Sequence, residues 1–134
     1  MFDSQRATLN QELARLAADL PETRWIVLLS KDGVNKAVFP EFVGETDRLS
    51  AMSAATLSLG ERITRELKGG EMRYTLIGGT YNLHLIIALG KDHMLVLGLR
   101  PTVSLDSIFK ALQASITPLL EELKVELPAN WLNS

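Results

Sequence analysis

The stretch RLSAMSAATLSLGERI, residues 48–63, lies in the middle of the chain and decides how the fold is assembled. Its composition predicts a helix that begins at a cap formed by Thr46 or Asp47. The helix is expected to end at Gly69–Gly70, since glycine readily takes left-handed backbone angles. At about 100° per residue the side chains fall into two stripes rather than one. The helix is therefore expected to pack on two sides.

The two stripes differ in size and predict different contacts. The large stripe should cover a sheet and consists of Leu49, Met52, Thr56, Leu59, Ile63 and Leu67. The small stripe consists of Ala51, Ala54, Ala55 and Ser58, with Asp47 at one end and Arg62 and Arg65 at the other. Small side chains allow a second helix to approach closely, and the end charges would meet in an antiparallel two-fold copy. We expect a homodimer on this stripe; the alternative is that alanine and serine fill a solvated helix face.

The rest of the chain alternates helix and strand signals. A first helix, capped at Asp3 or Ser4, repeats Leu9, Leu13, Leu16, Ala17 and Leu20 and stops at Pro21. RWIVLLSKDGVNKAVF predicts two strands joined at Lys31-Asp32-Gly33, the first apolar on both faces and the second placed at an edge by Pro40.

Three further strands are predicted in MRYTLIGG, YNLHLIIAL and MLVLGL, followed by a helix from Ser104 to Leu123 that should bend at Pro118. The order α-β-β-α-β-β-β-α has hairpin-length connections. The sequence therefore predicts an α+β fold with an antiparallel sheet and helices on its faces.

Composition limits the classes of function. The chain has 134 residues, 46% of them hydrophobic, which suits one domain with a substantial core. A net charge of −2 lacks the basic excess that nucleic acids require. The absence of cysteine rules out disulfides and makes the cytoplasm the expected location. No apolar run is long enough for a signal peptide or a membrane insertion.

Motifs for catalysis or cofactor binding are missing from the sequence. The chain has no phosphate-binding loop, dinucleotide fingerprint or nucleophile elbow. His84 lies in a strand and His93 in a turn, so a metal site would need distant carboxylates, and Asp32 and Asp92 occupy turn positions that aspartate favours. We expect a protein that is not an enzyme and that binds no cofactor or metal.

The element order, the Asp-Gly hairpin, the two-faced middle helix and the block LIGGTYNLHLIIALGKDHMLVLGL together resemble the Roadblock family. This family includes dynein light chains of the Roadblock class, Ragulator subunits and bacterial MglB proteins. The resemblance runs from about Leu9 to Leu123, so residues 1–124 are expected to form the domain and 125–134 a C-terminal tail. It implies a five-stranded antiparallel sheet with the middle helix on one face and the terminal helices on the other.

The resemblance also implies association. Two copies would pair their middle helices and their third strands, which adds Arg73, Thr75 and Ile77 to the expected dimer interface. Because such dimers are platforms for small Ras-like GTPases, the implied function is a GTPase activator or nucleotide-state regulator of the MglB kind. The alternative is an assembly scaffold of the dynein or Ragulator kind. A ligand sensor is disfavoured, because the strands offer no convergent polar set.

Candidate partner-binding residues lie on the middle helix and in the tail. Leu57 is outside both stripes and is expected to be exposed, on a strip with Glu61 and Lys68; Arg65 adjoins it and could pair with Glu61. We expect Arg48, Arg62 and Arg65 to act in positioning rather than as an arginine finger. Trp131 and Leu132 are expected either to fold back on the protein or to anchor a partner.

Overall fold

The computed structural model describes residues 2–40, 46–128 and 131–132, and their secondary structure follows the predicted order. The elements are α1 (Phe2–Ala18), β1 (Thr23–Ser30), β2 (Asn35–Phe39), α2 (Thr46–Glu66), β3 (Tyr74–Gly78), β4 (Leu83–Leu89), β5 (His93–Leu99), α3 (Leu105–Ser115) and α4 (Thr117–Leu123). The predicted final helix is two helices, because Pro118 occupies the first turn of α4, where its missing N–H costs nothing. Its predicted cap is confirmed: the Ser104 hydroxyl accepts from the Ser107 N–H.

The sheet is antiparallel throughout, with the strand order β2-β1-β5-β4-β3. Helices α1, α3 and α4 pack on one face and α2 on the other, so the predicted fold class is confirmed. Strand β1 is buried on both faces, as predicted: Ile26 and Leu28 join the core under the terminal helices, and Val27 and Leu29 join the core under α2. Strand β2 lies at one edge and β3 at the other.

The two strand connections at one end of the sheet are tied together. Gly33 has a φ of +87°, the left-handed conformation that the β1–β2 turn requires. The Ser30 N–H donates to the Val34 carbonyl across this turn at 2.9 Å, and the Lys31 N–H donates to the Asp92 carbonyl of the β4–β5 turn at 2.8 Å. These bonds make one rigid end of the sheet, and α2 lies across that end.

The orientation of α2 differs from the predicted one. The large stripe was expected to face the sheet, yet its members are exposed by 54% at Met52, 58% at Leu59, 48% at Ile63 and 76% at Leu67. Leu49 alone among its leucines packs against the core, at the margin of the contact. The sheet-facing residues of α2 are instead Ser50, Ser53 and Leu57.

Small residues under α2 explain this orientation, because they let the helix lie close to the sheet. The Ser50 hydroxyl donates to the Thr46 carbonyl at 2.7 Å, so its polar atom is satisfied inside the helix and can be buried. A side chain at Gly60 would overlap the sulfur of Met72. Leu57, expected to be exposed, is 3% exposed and fills the space between helix and sheet.

Helix α2 ends near Gly69, as predicted. The residue that takes left-handed backbone angles at the helix end is Lys68, with a φ of 54°, rather than the expected Gly69. The Gly69 N–H donates to the Thr64 carbonyl at 2.7 Å and the Lys68 N–H to the Arg65 carbonyl at 3.2 Å, which is the Schellman arrangement. No helix within the described ranges combines the length and apolar character needed to cross a membrane.

Candidate protein interface

The outward side of α2 carries a stripe of large apolar side chains, which we call the outer stripe: Met52, Leu59, Ile63 and Leu67. Their spacing keeps them on one flank of the helix. Gly60, which contacts Met72 and Thr75 next to strand β3, lies on the same side of α2 as Ile63 and Leu67. The outer stripe therefore leans towards the β3 edge of the sheet.

Strand β3 continues this apolar surface. In an antiparallel sheet, residues in register share a face, so Thr75 and Ile77, opposite Ile86 and His84, lie on the α2 face. Ile77 is exposed there, while Leu76 is exposed on the opposite face. Strand β3 is thus apolar on both sides where it borders solvent.

The backbone of β3 is open along the same edge. The Ala88 N–H donates to the Arg73 carbonyl at 3.0 Å, and hydrogen-bonded pairs alternate along an antiparallel ladder. Thr75 therefore directs its backbone groups to β4. The residues that direct theirs to the open edge are Tyr74, Leu76 and Gly78.

The opposite edge of the sheet, at β2, is covered by α1. The Asn10 side-chain oxygen accepts from the Val38 N–H at 3.0 Å, and Arg6 donates to the Asn35 carbonyl at 3.2 Å. Side chains of α1 thus occupy backbone groups that a further strand would need. Of the two edges, β3 is the one suited to pairing.

The residues predicted for the dimer interface divide into exposed and packed ones. The exposed ones are Asp47, Ala51, Ala55, Ser58, Arg62, Arg73 and Ile77. Ala54 packs against the β1–β2 turn, where its Cβ faces Gly33, and Thr75 is half-buried with its hydroxyl 3.7 Å from the Met72 sulfur. Part of the Ala54 surface is therefore covered by this contact within the chain. Ala55 lies on the outward face, one turn from both Met52 and Leu59.

The predicted partner-binding strip is only partly exposed. Leu57 is buried, so its prediction as a surface anchor is wrong. The expected Glu61–Arg65 pair is replaced by an ion pair from Glu61 to Lys31 at 3.7 Å, which ties α2 to the β1–β2 turn. Arg65 and Lys68 are exposed beside it. Arg62 pairs with Glu66 at 3.2 Å.

The tail packs on the domain itself. Trp131 and Leu132 are 8% and 5% exposed and join the core under the terminal helices. The Leu132 N–H donates to the side-chain oxygen of Gln113 on α3 at 3.2 Å. Of the two possibilities left by the sequence, the structure has the folded-back one.

Trp25 and His84 form an aromatic pair that the sequence analysis did not predict. The pair lies on the face of the sheet that also carries α2. Gly98 has no side chain, and the Trp25 indole occupies the space that one would fill. The His84 ring lies 5.5 Å from that indole, tilted by 51°. Trp25, Gly98 and His84 are in register across β1, β5 and β4, and the row ends at Ile77 on the open edge.

Two further observations bear on chemistry. In the described part of the chain, no group of three or more His, Asp or Glu side chains is placed to hold a metal.

Burial lowers the pKa of His93 below its usual value of 6.5, with Asp92 opposing the shift and Lys36 adding to it. Its Nδ1 is buried and meets no hydrogen-bond partner among the described residues.

The chain is a small α+β domain that has one open sheet edge beside an apolar helix face. The profile of the Roadblock/LC7 domain family matches residues 9–98, and the chain belongs to that family. No curated protein sequence matches it.

Several solved structures share the fold. A Roadblock/LC7 domain from Streptomyces avermitilis has a TM-score of 0.77 at 20% identity, covering 86% of this chain and 97% of that one. Myxococcus xanthus MglB has a TM-score of 0.78 at 15% identity, covering 87% and 95%. A structure described as MglB with tetrameric arrangement has a TM-score of 0.72 at 16% identity, covering 90% of each chain.

Proposed function

We propose that two copies of this chain associate through the outer stripe and the β3 edge, and that the dimer is a non-catalytic platform that regulates a small Ras-like GTPase. The observation that carries the proposal is the continuity of the two surfaces. Four large apolar side chains on α2 lie beside an open strand that is itself apolar at Ile77 and Leu76. Contiguous exposed apolar side chains mark surfaces that bind other proteins.

A two-fold axis at the β3 edge accounts for both surfaces at once. Two β3 strands running antiparallel would satisfy the outward backbone groups of Tyr74, Leu76 and Gly78. The same axis would bring the two α2 helices together along their outer stripes, since a two-fold contact uses the same patch on both copies. This interface differs from the small stripe expected from the sequence, because it uses the large residues.

The GTPase part of the proposal draws on membership of the Roadblock/LC7 family and on the similarity to MglB. The flank of α2 that remains outside the proposed dimer carries Glu61, paired with Lys31, and the exposed Arg65. The exposed Lys68 lies just after the helix. Arg65 lies about 120° round the helix from Leu59, so a partner could contact it while the dimer is intact. Charges there suit recognition and association rate more than catalysis.

One pair of variants tests the dimer and distinguishes the two stripes. Leu59→Glu places a charge in the outer stripe, and Ser58→Glu places the same charge one residue away on the small stripe. Sedimentation equilibrium should show wild-type and Ser58→Glu dimers and a Leu59→Glu monomer. The reverse result would assign the interface to the small stripe, and two intact dimers would contradict a helix-mediated interface.

A second experiment tests the GTPase role. Ras-like GTPases encoded in the same genome, loaded with GDP or with a non-hydrolysable GTP analogue, are titrated with the dimer. A regulator must bind one nucleotide state more tightly than the other. Equal affinity for both states would favour the scaffold function. In stimulated single-turnover hydrolysis, Arg48→Ala, Arg62→Ala and Arg65→Ala should each cost far less than the roughly 10³- to 10⁵-fold effect of an arginine finger.

A further inference from the structure

The described residues after α4, 124–128 and 131–132, pack on the domain, and we call them the C-terminal strap. It begins at Lys124, whose left-handed φ of 57° turns the chain out of α4. Val125 then packs beside Gly90 in the β4–β5 turn, and the Trp131 N–H donates to the Pro128 carbonyl at 3.1 Å. The strap ends in the buried pair Trp131 and Leu132.

The strap is bonded to α3 through one side chain. Gln113 accepts the Leu132 N–H, and it lies four residues after Phe109, so both project from the same side of α3. Phe109 is buried, and its ring meets the ring of Tyr74 edge to face, with centroids 4.8 Å apart. Tyr74 belongs to the open edge strand. A continuous set of contacts thus runs from strap to α3 to β3.

Strand β3 depends on such contacts more than the inner strands do. It has a neighbouring strand on one side only, so its other positional restraints come from side chains on the two faces of the sheet. On the α2 face these are Met72 and Thr75 beneath Gly60, and on the opposite face the restraint is Phe109 against Tyr74. Whatever fixes α3 therefore also fixes the edge strand.

We propose that docking of the C-terminal strap on α3 holds strand β3 in its pairing geometry and so couples the state of the tail to the state of the sheet edge. Strap release loosens the Phe109–Tyr74 contact and lets β3 open more often. Coupling of this kind is reciprocal: an edge strand held by a partner in turn favours the docked strap. The effect on self-association rests on the dimer proposed above; the effect on the strand does not.

Hydrogen exchange in the full chain tests the effect on the strand. The double variant Trp131→Ala, Leu132→Ala releases the strap, and Glu126→Ala is the matched control at an exposed strap position. Exchange at the β3 amides that are bonded to β4, those of Thr75 and Ile77, should accelerate by about fivefold or more, the lower end of the range for coupled sites. Exchange at the β2 amides and in Glu126→Ala should stay as in wild type. Equal acceleration of β2 and β3 would mean general destabilisation and would overturn the proposal, as would no change at β3.

Two additional variants identify the route. Gln113→Ala removes only the bond to Leu132 and should also accelerate β3 exchange, by less than the double variant. Phe109→Leu breaks the contact with Tyr74, so strap release in that background should add little further acceleration. If the effects of Phe109→Leu and of strap release on β3 exchange are fully additive, the coupling does not pass through the Phe109–Tyr74 contact.

Sedimentation of the strap variant tests the link to self-association. The dimer dissociation constant should rise about fivefold or more for Trp131→Ala, Leu132→Ala and stay unchanged for Glu126→Ala. If β3 exchange accelerates while the dimer dissociation constant stays unchanged, the strap affects only the strand, and its proposed role in self-association is wrong. A wild-type chain that stays monomeric would contradict the proposed dimer, while the exchange result still decides whether the strap holds β3.

Discussion

At the residue scale, two neighbouring leucines of α2 have opposite environments. Leu57 is buried between helix and sheet, and Leu59 is largely exposed. Leu57→Ala should therefore lower the free energy of unfolding by about 2–5 kcal/mol, the range for leucine truncated in a core. Leu59→Ala should change it by less than about 0.5 kcal/mol in the isolated copy. Urea denaturation at protein concentrations too low for self-association measures the free energy of unfolding of both variants. Equal losses of stability would contradict the observed orientation of α2.

A second residue-scale prediction concerns His93 and pH. Because its folded-state pKa is lowered by burial, the unfolded chain binds the proton first as the pH falls. The free energy of unfolding should therefore decrease as the pH drops from about 6.5, the usual histidine pKa, towards the lower folded-state value. Above that range His93 contributes no pH dependence.

Denaturation between pH 7.5 and 5.5 measures this slope, and His93→Gln should reduce it. The interval lies above the usual titration range of Asp and Glu at about 4. His84→Gln, in the aromatic pair with Trp25, is the matched histidine control and should retain the contribution of His93. An identical slope in wild type and His93→Gln would contradict the prediction.

At the element scale, the edge strand has alternate residues with opposite backbone roles. Leu76 directs its N–H to the open edge, so Leu76→Pro removes a donor that the isolated copy does not use, and proline is tolerated on edge strands. We expect a folded monomer. Leu76→Ala keeps the N–H and should retain more of the dimer. Circular dichroism and sedimentation together check this, and a Leu76→Pro dimer of unchanged affinity would exclude pairing of the two β3 strands.

Local signals predicted the elements well, and failed at one contact between them. The cap at Ser104, the turn at Gly33 and the proline near the β2 edge each act over a few residues, so sequence alone identifies them. The wheel separated two stripes on α2, but the buried residues that pack on the sheet, Ser50, Ser53 and Leu57, belong to neither stripe. The size of the leucine side chains suggested that they face the sheet. The small residues Gly60 and Ser50, which allow a close approach, determine the packing face instead. The glycine in that helix was the available signal.

At the scale of the whole molecule, the two sheet edges are unequal because α1 covers one of them. Asn10→Ala with Arg6→Ala would free the Val38 N–H and the Asn35 carbonyl along β2. We expect this variant to form species larger than a dimer at high concentration, seen by light scattering. Asn10→Asp, which keeps the acceptor for Val38, should remain as wild type. A double variant that stops at two copies would mean that other features protect the β2 edge.

In the proposed dimer, the covered β2 edge would also set where assembly ends. A sheet with two free edges can grow without limit, each added copy exposing a fresh template for the next, which is the route to fibres. In the proposed dimer, pairing at β3 would use the one receptive edge of each copy, and both outer edges of the joined ten-stranded sheet would be β2 edges covered by α1. Polymerisation would then stop at its first step, because two side chains of α1 occupy the backbone groups that further growth would need.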